Sequence, residues 1–116
     1  MDFTASIAYG FCIPEEKLIL LARKLNLVAN GMSDTDIAIE FQDIFCSPGV
    51  RCDCLDYYGG EDPHYVLFDY LSKRDIESGE WAPLYPLPEV GVNKRLVLMA
   101  ESLSLELRWV IFSTLS

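Results

Sequence analysis

The fold is decided by the stretch Phe3-Thr4-Ala5-Ser6-Ile7-Ala8-Tyr9-Gly10-Phe11-Cys12-Ile13. Its larger apolar side chains occupy every second position, and small or polar residues fill most positions between them. A period of two over this length is typical of a β-strand with one buried face. Pro14, Glu15 and Glu16 come next and indicate the start of a helix, because proline suits the first turn and acids suit its positive end. The element order therefore starts with a strand and then a helix.

Five further elements follow from the same kind of pattern. Apolar spacing predicts that the first helix runs to about residue 26, and Ser33 is typical of the N-cap of a second one. Residues 50–58 and 65–71 are rich in β-formers and flank the turn cluster 59–63, which indicates a hairpin. The prolines within residues 74–88 favour irregular structure. Asn93 is expected to cap a last helix, and residues 106–115 form the last predicted strand.

This order predicts an α+β protein. Without the additional helix it is the split β-α-β pattern of a ferredoxin-like sandwich, βα(α)ββαβ. We therefore expect a four-stranded antiparallel sheet with helices on one face and the other face open. Two helices beside a differently ordered antiparallel sheet is the alternative. The length of 116 residues predicts a single domain over residues 1–116.

The composition excludes several classes of protein. The net charge is −9, which disfavours direct binding to nucleic acid or to anionic membranes, since both need a surplus of lysine and arginine. No apolar run approaches the length of a membrane span, and residues 1–4 lack the basic start of a secretory signal. We therefore expect a cytoplasmic protein. The hydrophobic content of 51% leaves a homodimer open.

Cysteine and histidine are the first candidates for chemistry. Cys46, Cys52, Cys54 and His64 lie within nineteen residues, a donor set that zinc accepts. Their spacing lacks the tight C-x-x-C knuckle, so the sequence favours structural cysteines over a metal or redox site. No nucleophile elbow, P-loop or dinucleotide fingerprint is present. We expect no catalytic residues, no metal site and no cofactor.

Charge placement is the strongest functional signal. Between Asn26 and Asp62 there are eight acids and only Arg51 as a base, a net of −7 out of the total of −9. If the second helix and the hairpin are neighbours, these acids share one surface together with two tyrosines, a residue type favoured at interfaces. The predicted partner-binding residues are Asp34, Asp36, Glu40, Asp43, Asp53, Asp56, Tyr57, Tyr58, Glu61 and Asp62.

These observations favour a protein that binds a basic surface of another protein, such as the nucleic-acid site of a nucleic-acid-processing enzyme. In size and charge the chain resembles small acidic inhibitors, among them immunity and anti-defence proteins, and no motif ties it to one family. One alternative is a small enzyme or ligand-binding domain that uses the open sheet face, lined by Ser6, Asp53, Tyr57 and Asp69. Another is a homo-oligomeric structural subunit in which Val110 and Phe112 cover a sheet edge.

Overall fold

The computed structural model describes residues 3–55, 63–76 and 93–115. Within these ranges the fold is α+β, with four α-helices and one antiparallel sheet of five strands. The elements in chain order are β1 (Phe3–Pro14), α1 (Glu15–Lys24), α2 (Asp34–Ile39), α3 (Phe41–Phe45), β2 (Val50–Leu55), β3 (His64–Asp69), a 3₁₀ turn (Tyr70–Ser72), β4 (Arg74–Ile76), α4 (Lys94–Ser102) and β5 (Arg108–Leu115).

The first strand is the centre of the sheet, as long as its alternating pattern suggests. One edge of β1 pairs with β5, from Phe3 opposite Leu115 to Gly10 opposite Arg108. The other edge pairs with β3 over residues 10–14 and with β4 over residues 5–7. β2 then pairs with the outer edge of β3. All four pairings are antiparallel.

The expected count of four strands is wrong, because the run after residue 65 does not continue as one strand. Instead of extending to residue 71, β3 ends at Asp69 and a 3₁₀ turn follows. β4 then resumes the pairing with β1 inside the segment expected to be irregular. The interruption leaves the Tyr9 N–H without a strand partner, and the Ser72 hydroxyl accepts it at 2.8 Å. The same hydroxyl donates to the Asp69 carbonyl at 2.6 Å.

The helices cover one face of the sheet and bury the larger core. The apolar stripes of α1 and α4 pack against alternate side chains of β1, β2 and β3, and their buried members are Leu18, Leu21, Ala22, Leu96, Met99 and Ala100. The Asn93 side chain accepts from the N–H groups of Arg95 and Leu96, which confirms it as the N-cap of α4. Lys24 at the end of α1 donates to the Ser102 carbonyl at the end of α4, at 2.6 Å. α1 ends where Asn26 adopts a left-handed φ of 54°, before the Asn30–Gly31 pair.

The second predicted helix is broken into two short ones. Ser33 caps α2 as expected, since its side chain accepts from the Asp36 N–H. Glu40 then leaves helical geometry, with φ −94° and ψ 19°, and α3 starts at Phe41. Ile37 in α2 and Phe45 in α3 are both fully buried, so the break lets each short helix present its own apolar side chain to the core.

The other sheet face is not open, contrary to the expectation. Ala8, Leu55, Val66, Phe68 and Phe112 are buried there as a second cluster. The rings of Phe68 and Phe112 lie 5.4 Å apart, above the small residues of β1. β2 and β5 also come within 8 Å of each other between Cα atoms, so the sheet is strongly curled. β1 is consequently buried on both faces rather than on one.

No helix in the three described ranges is long and apolar enough to cross a membrane. The hairpin turn 59–63, apart from Pro63, and the proline-containing segment 77–92 lie outside the described residues. The ferredoxin-like strand order stays a prediction.

Candidate protein-binding surface

Three of the predicted acids are exposed on the two short helices and at their junction, and are here called the acidic helix surface: Asp36, Glu40 and Asp43. Asp36 lies in the first turn of α2, Glu40 at the junction of the helices and Asp43 in α3. All three are exposed. In the part of the chain that the structure describes, no lysine or arginine nitrogen lies within 4.0 Å of their carboxylates, since the ion pairs found there involve other acids. Their negative charge therefore faces solvent.

Asp34 lies at the start of the same helix but already has a partner. The Arg23 guanidinium contacts its carboxylate at 2.5 Å and also donates to the Met32 carbonyl at 2.9 Å. The side chain of Asp34 is 70% exposed and that of Arg23 is 39% exposed, so the ion pair contributes little to stability. Its main effect is to neutralise one of the predicted acids and to join the end of α1 to the start of α2.

Asp53 does not join the acidic helix surface. β2 packs against α3, but Val50 and Cys52 of this strand point to the helices, and Leu55 points to the second cluster. Alternation along the strand puts Asp53 on the side of Leu55, across the sheet from α2 and α3. The other five predicted residues, Asp56, Tyr57, Tyr58, Glu61 and Asp62, lie outside the described residues.

An apolar residue that the sequence reasoning missed lies among these acids. Ile39, the last residue of α2, is 71% exposed. It borders a groove of about 430 Å³ between α1 and α2, lined by Glu15, Ile19, Asp34, Thr35, Ala38 and Ile39. The available signal was the spacing of four residues between Glu15 and Ile19 in α1 and between Thr35 and Ile39 in α2, which places each pair on one face of its helix. The sequence prediction considered only the buried stripe on another face of each helix.

Glu15 is the second missed residue, and its carboxylate is held in place. Its Oε1 accepts from the Tyr65 hydroxyl at 3.2 Å, and its N–H donates to the Pro63 carbonyl at 3.1 Å. Burial raises the pKa of the Tyr65 hydroxyl, and the nearby Cys54 and Glu15 raise it further. Tyr65 therefore stays protonated and remains a hydrogen-bond donor to Glu15 at neutral pH.

Ser6 and Asp69, two of the residues expected to line an open sheet face, are buried and make hydrogen bonds within the fold. Ser6 is fully buried and its hydroxyl donates to Asp75 at 2.9 Å. Asp69 is buried, and its carboxylate accepts from the Leu71 N–H at 3.0 Å. Phe112 is buried in the second cluster and Val110 packs against it, so neither is available to cover a sheet edge. Within residues 108–113 of β5, Ile111 is an exposed large apolar side chain.

The cysteines are not a uniform set of core residues. Cys52 is buried, Cys54 is half-buried, and Cys12 and Cys46 are exposed. Burial is the main cause of the raised pKa of the Cys52 thiol, and it also raises the pKa of Cys12. A raised pKa keeps a thiol protonated and unreactive. Among the described residues, no three cysteine, histidine or acidic side chains are grouped so that they could hold a metal ion.

The described chain thus presents unpaired carboxylates beside an exposed isoleucine and a groove. Such an arrangement attracts positive charge and can bury apolar area, which are the two components of a protein interface. Compared with known protein families, with curated proteins and with solved structures, the chain matches none of them.

Proposed function

We propose that this chain is a small acidic protein-binding domain, an inhibitor or an immunity or anti-defence protein, that occupies a basic, nucleic-acid-binding surface of its partner. The supporting observation is the acidic helix surface, whose three exposed carboxylates have no basic neighbour in the described ranges. Acidic side chains spaced this closely along the chain repel one another. A binding role accounts for keeping them close together, because clustered charge speeds encounter with a basic partner.

Charge reversal with a matched control tests this function. One variant replaces Asp36, Glu40 and Asp43 with lysine. The control replaces Glu16, Glu101 and Glu106 with lysine. These three acids are exposed and lie outside α2 and α3, so the control changes the net charge equally. Each immobilised protein is used to capture partners from lysate, with bound proteins identified by mass spectrometry. Circular dichroism checks that both variants fold.

The proposal expects a captured partner that the control variant retains and the acidic helix surface variant loses. Its binding should weaken steeply with salt, since exposed charges are screened within about 10 Å at 0.1 M ionic strength. Added duplex DNA should displace the protein from a partner whose nucleic-acid site is occupied. Equal retention, or equal loss, in the two variants would contradict the assignment to this surface.

We also propose the ferredoxin-like order for the four longer strands. The neighbouring and antiparallel pairs β2 with β3, β3 with β1 and β1 with β5 support it. In this interpretation β4 is a short addition that continues the line of β3 along β1. An experimental structure with strand pairings different from these would overturn it.

A further inference from the structure

We infer that the groove between α1 and α2 receives a lysine or arginine side chain of the protein partner, an inference that rests on the proposed function. The groove combines apolar side chains with two carboxylates. Ile19, Ala38 and Ile39 supply the apolar wall, and Glu15 and Asp34 supply the acids. A long basic side chain has the same division, with an aliphatic stem and a charged head.

The two carboxylates of the groove differ in availability. Asp34 is bound by Arg23, a residue near the end of α1, so its carboxylate already pairs with a guanidinium. Glu15 lies at the first residue of α1, two helical turns from Arg23. It accepts one hydrogen bond, from Tyr65 to Oε1, and no donor within the described residues contacts Oε2. The groove therefore offers one carboxylate oxygen, Oε2 of Glu15, for a cation.

Positioning of that carboxylate is built into the fold. Glu15 is half-buried, while the neighbouring Glu16 is exposed on the same helix. The Tyr65 ring packs edge-on against Phe41, with centroids 5.0 Å apart, and this contact fixes the hydroxyl that holds Glu15. A carboxylate held in one rotamer loses less entropy when it binds a cation than a free surface acid does. Tyr65 is thus a positioning residue for Glu15.

Apolar contact is the second contribution of the groove to the binding of a basic side chain. Ile39 is 71% exposed although it lies next to Ala38 and opposite Ile19. The aliphatic stem of a lysine or arginine laid along this wall would cover Ile39 and point the charged head at Glu15. Asp36 in α2 and Glu40 at its C-cap do not line the groove, so they would act on the same cation only as longer-range charges.

The test uses an arginine–alanine repeat peptide as the probe and a citrulline–alanine peptide of equal length as its uncharged counterpart. Binding is followed by NMR titration of backbone and methyl signals, at low and at physiological salt. The inference expects the arginine peptide to shift the methyl signals of Ile19, Ala38 and Ile39, with no shifts from the citrulline peptide. Confinement of the shifts to Asp36, Glu40 and Asp43 would overturn it.

Two matched pairs of variants separate the groove from general charge attraction. Glu15→Gln and Glu16→Gln change the net charge equally, so the inference expects about a tenfold larger Kd for the first and little change for the second. Ile39→Ala should weaken binding about threefold, whereas Leu20→Ala, which removes an exposed side chain outside the groove, should not. Tyr65→Phe should weaken binding about threefold without any change of charge.

Failure of this inference differs from failure of the proposed function. Equal effects of Glu15→Gln and Glu16→Gln, combined with partner loss on reversal of the acidic helix surface, would reject the groove and keep the function. Partner capture that survives that reversal would reject the function itself, whatever the peptide does.

Discussion

Replacing Ser72 with alanine should cost this protein a large part of its stability. The Ser72 side chain is 1% exposed and makes two hydrogen bonds, accepting from the Tyr9 N–H and donating to the Asp69 carbonyl. Alanine fits the same space but leaves both backbone groups without that partner. A buried polar group left unsatisfied costs about 1–3 kcal/mol. We therefore expect the free energy of unfolding to fall by about 2–4 kcal/mol, compared with a typical total of about 5–15 kcal/mol.

The assay is urea unfolding followed by tryptophan fluorescence and circular dichroism. At a typical slope of about 1–3 kcal/mol per molar urea, the midpoint should fall by about 0.7–4 M. Ser102→Ala is the control, because the Ser102 hydroxyl also donates to a carbonyl, that of Leu98, but at an exposed helix end. Hydrogen exchange at Tyr9 should accelerate in the Ser72 variant only. A loss below about 0.5 kcal/mol, or one equal to that of the control, would refute the reasoning.

Two further predictions concern β1 and alkaline pH. Gly10→Ala should destabilise the fold by about 3 kcal/mol, because a Cβ there would lie 2.0 Å from the Leu67 carbonyl oxygen. Gly31→Ala should be nearly neutral, because nothing lies within 4 Å of a Cβ at that position. Thermal unfolding of both variants compares them. Tyr65 has a raised pKa in the folded state, so its stabilising contribution is complete below its ordinary value of 10.0 and is lost as the pH rises further. Unfolding free energy measured from pH 8 to 11 should therefore decline less steeply in Tyr65→Phe, and an unchanged decline would contradict the assignment.

Local signals in the sequence predicted most of the elements. The strand over residues 3–13, the cap at Ser33 and the cap at Asn93 each follow from near neighbours in the sequence, and the structure confirms all three, although β1 is buried on both faces. The buried stripes of α1 and α4 follow from helical spacing in the same way. The sequence pattern did not predict the break between α2 and α3 at Glu40. This break depends on the position of the core relative to Ile37 and Phe45, which local spacing does not reveal.

The predictions about the fold that were wrong all depend on contacts between residues that are distant in the sequence. The 3₁₀ turn at Tyr70–Ser72 is stabilised from Tyr9 and Gly49, which the local sequence does not reveal. The sheet curls so that β2 approaches β5, and this curling buries the face that was expected to be open. For the candidate site, Asp36, Glu40 and Asp43 are exposed, although the single helix assumed for their spacing is broken at Glu40. The position of Asp53 across the sheet follows from strand alternation, but only once the side facing the helices is known.

The long pairing of β1 with β5 has a consequence for how the protein is made. Phe3 lies opposite Leu115 and Gly10 opposite Arg108, so each partner emerges from the ribosome about a hundred residues later. Until then β1, the central strand of the described sheet, has one unsatisfied edge, a condition that invites aggregation and chaperone binding. Such non-local closure also slows folding, because the entropy of a long loop must be lost before the contacts form. Shortening the C-terminal strand would therefore harm solubility during synthesis before it harms any binding surface.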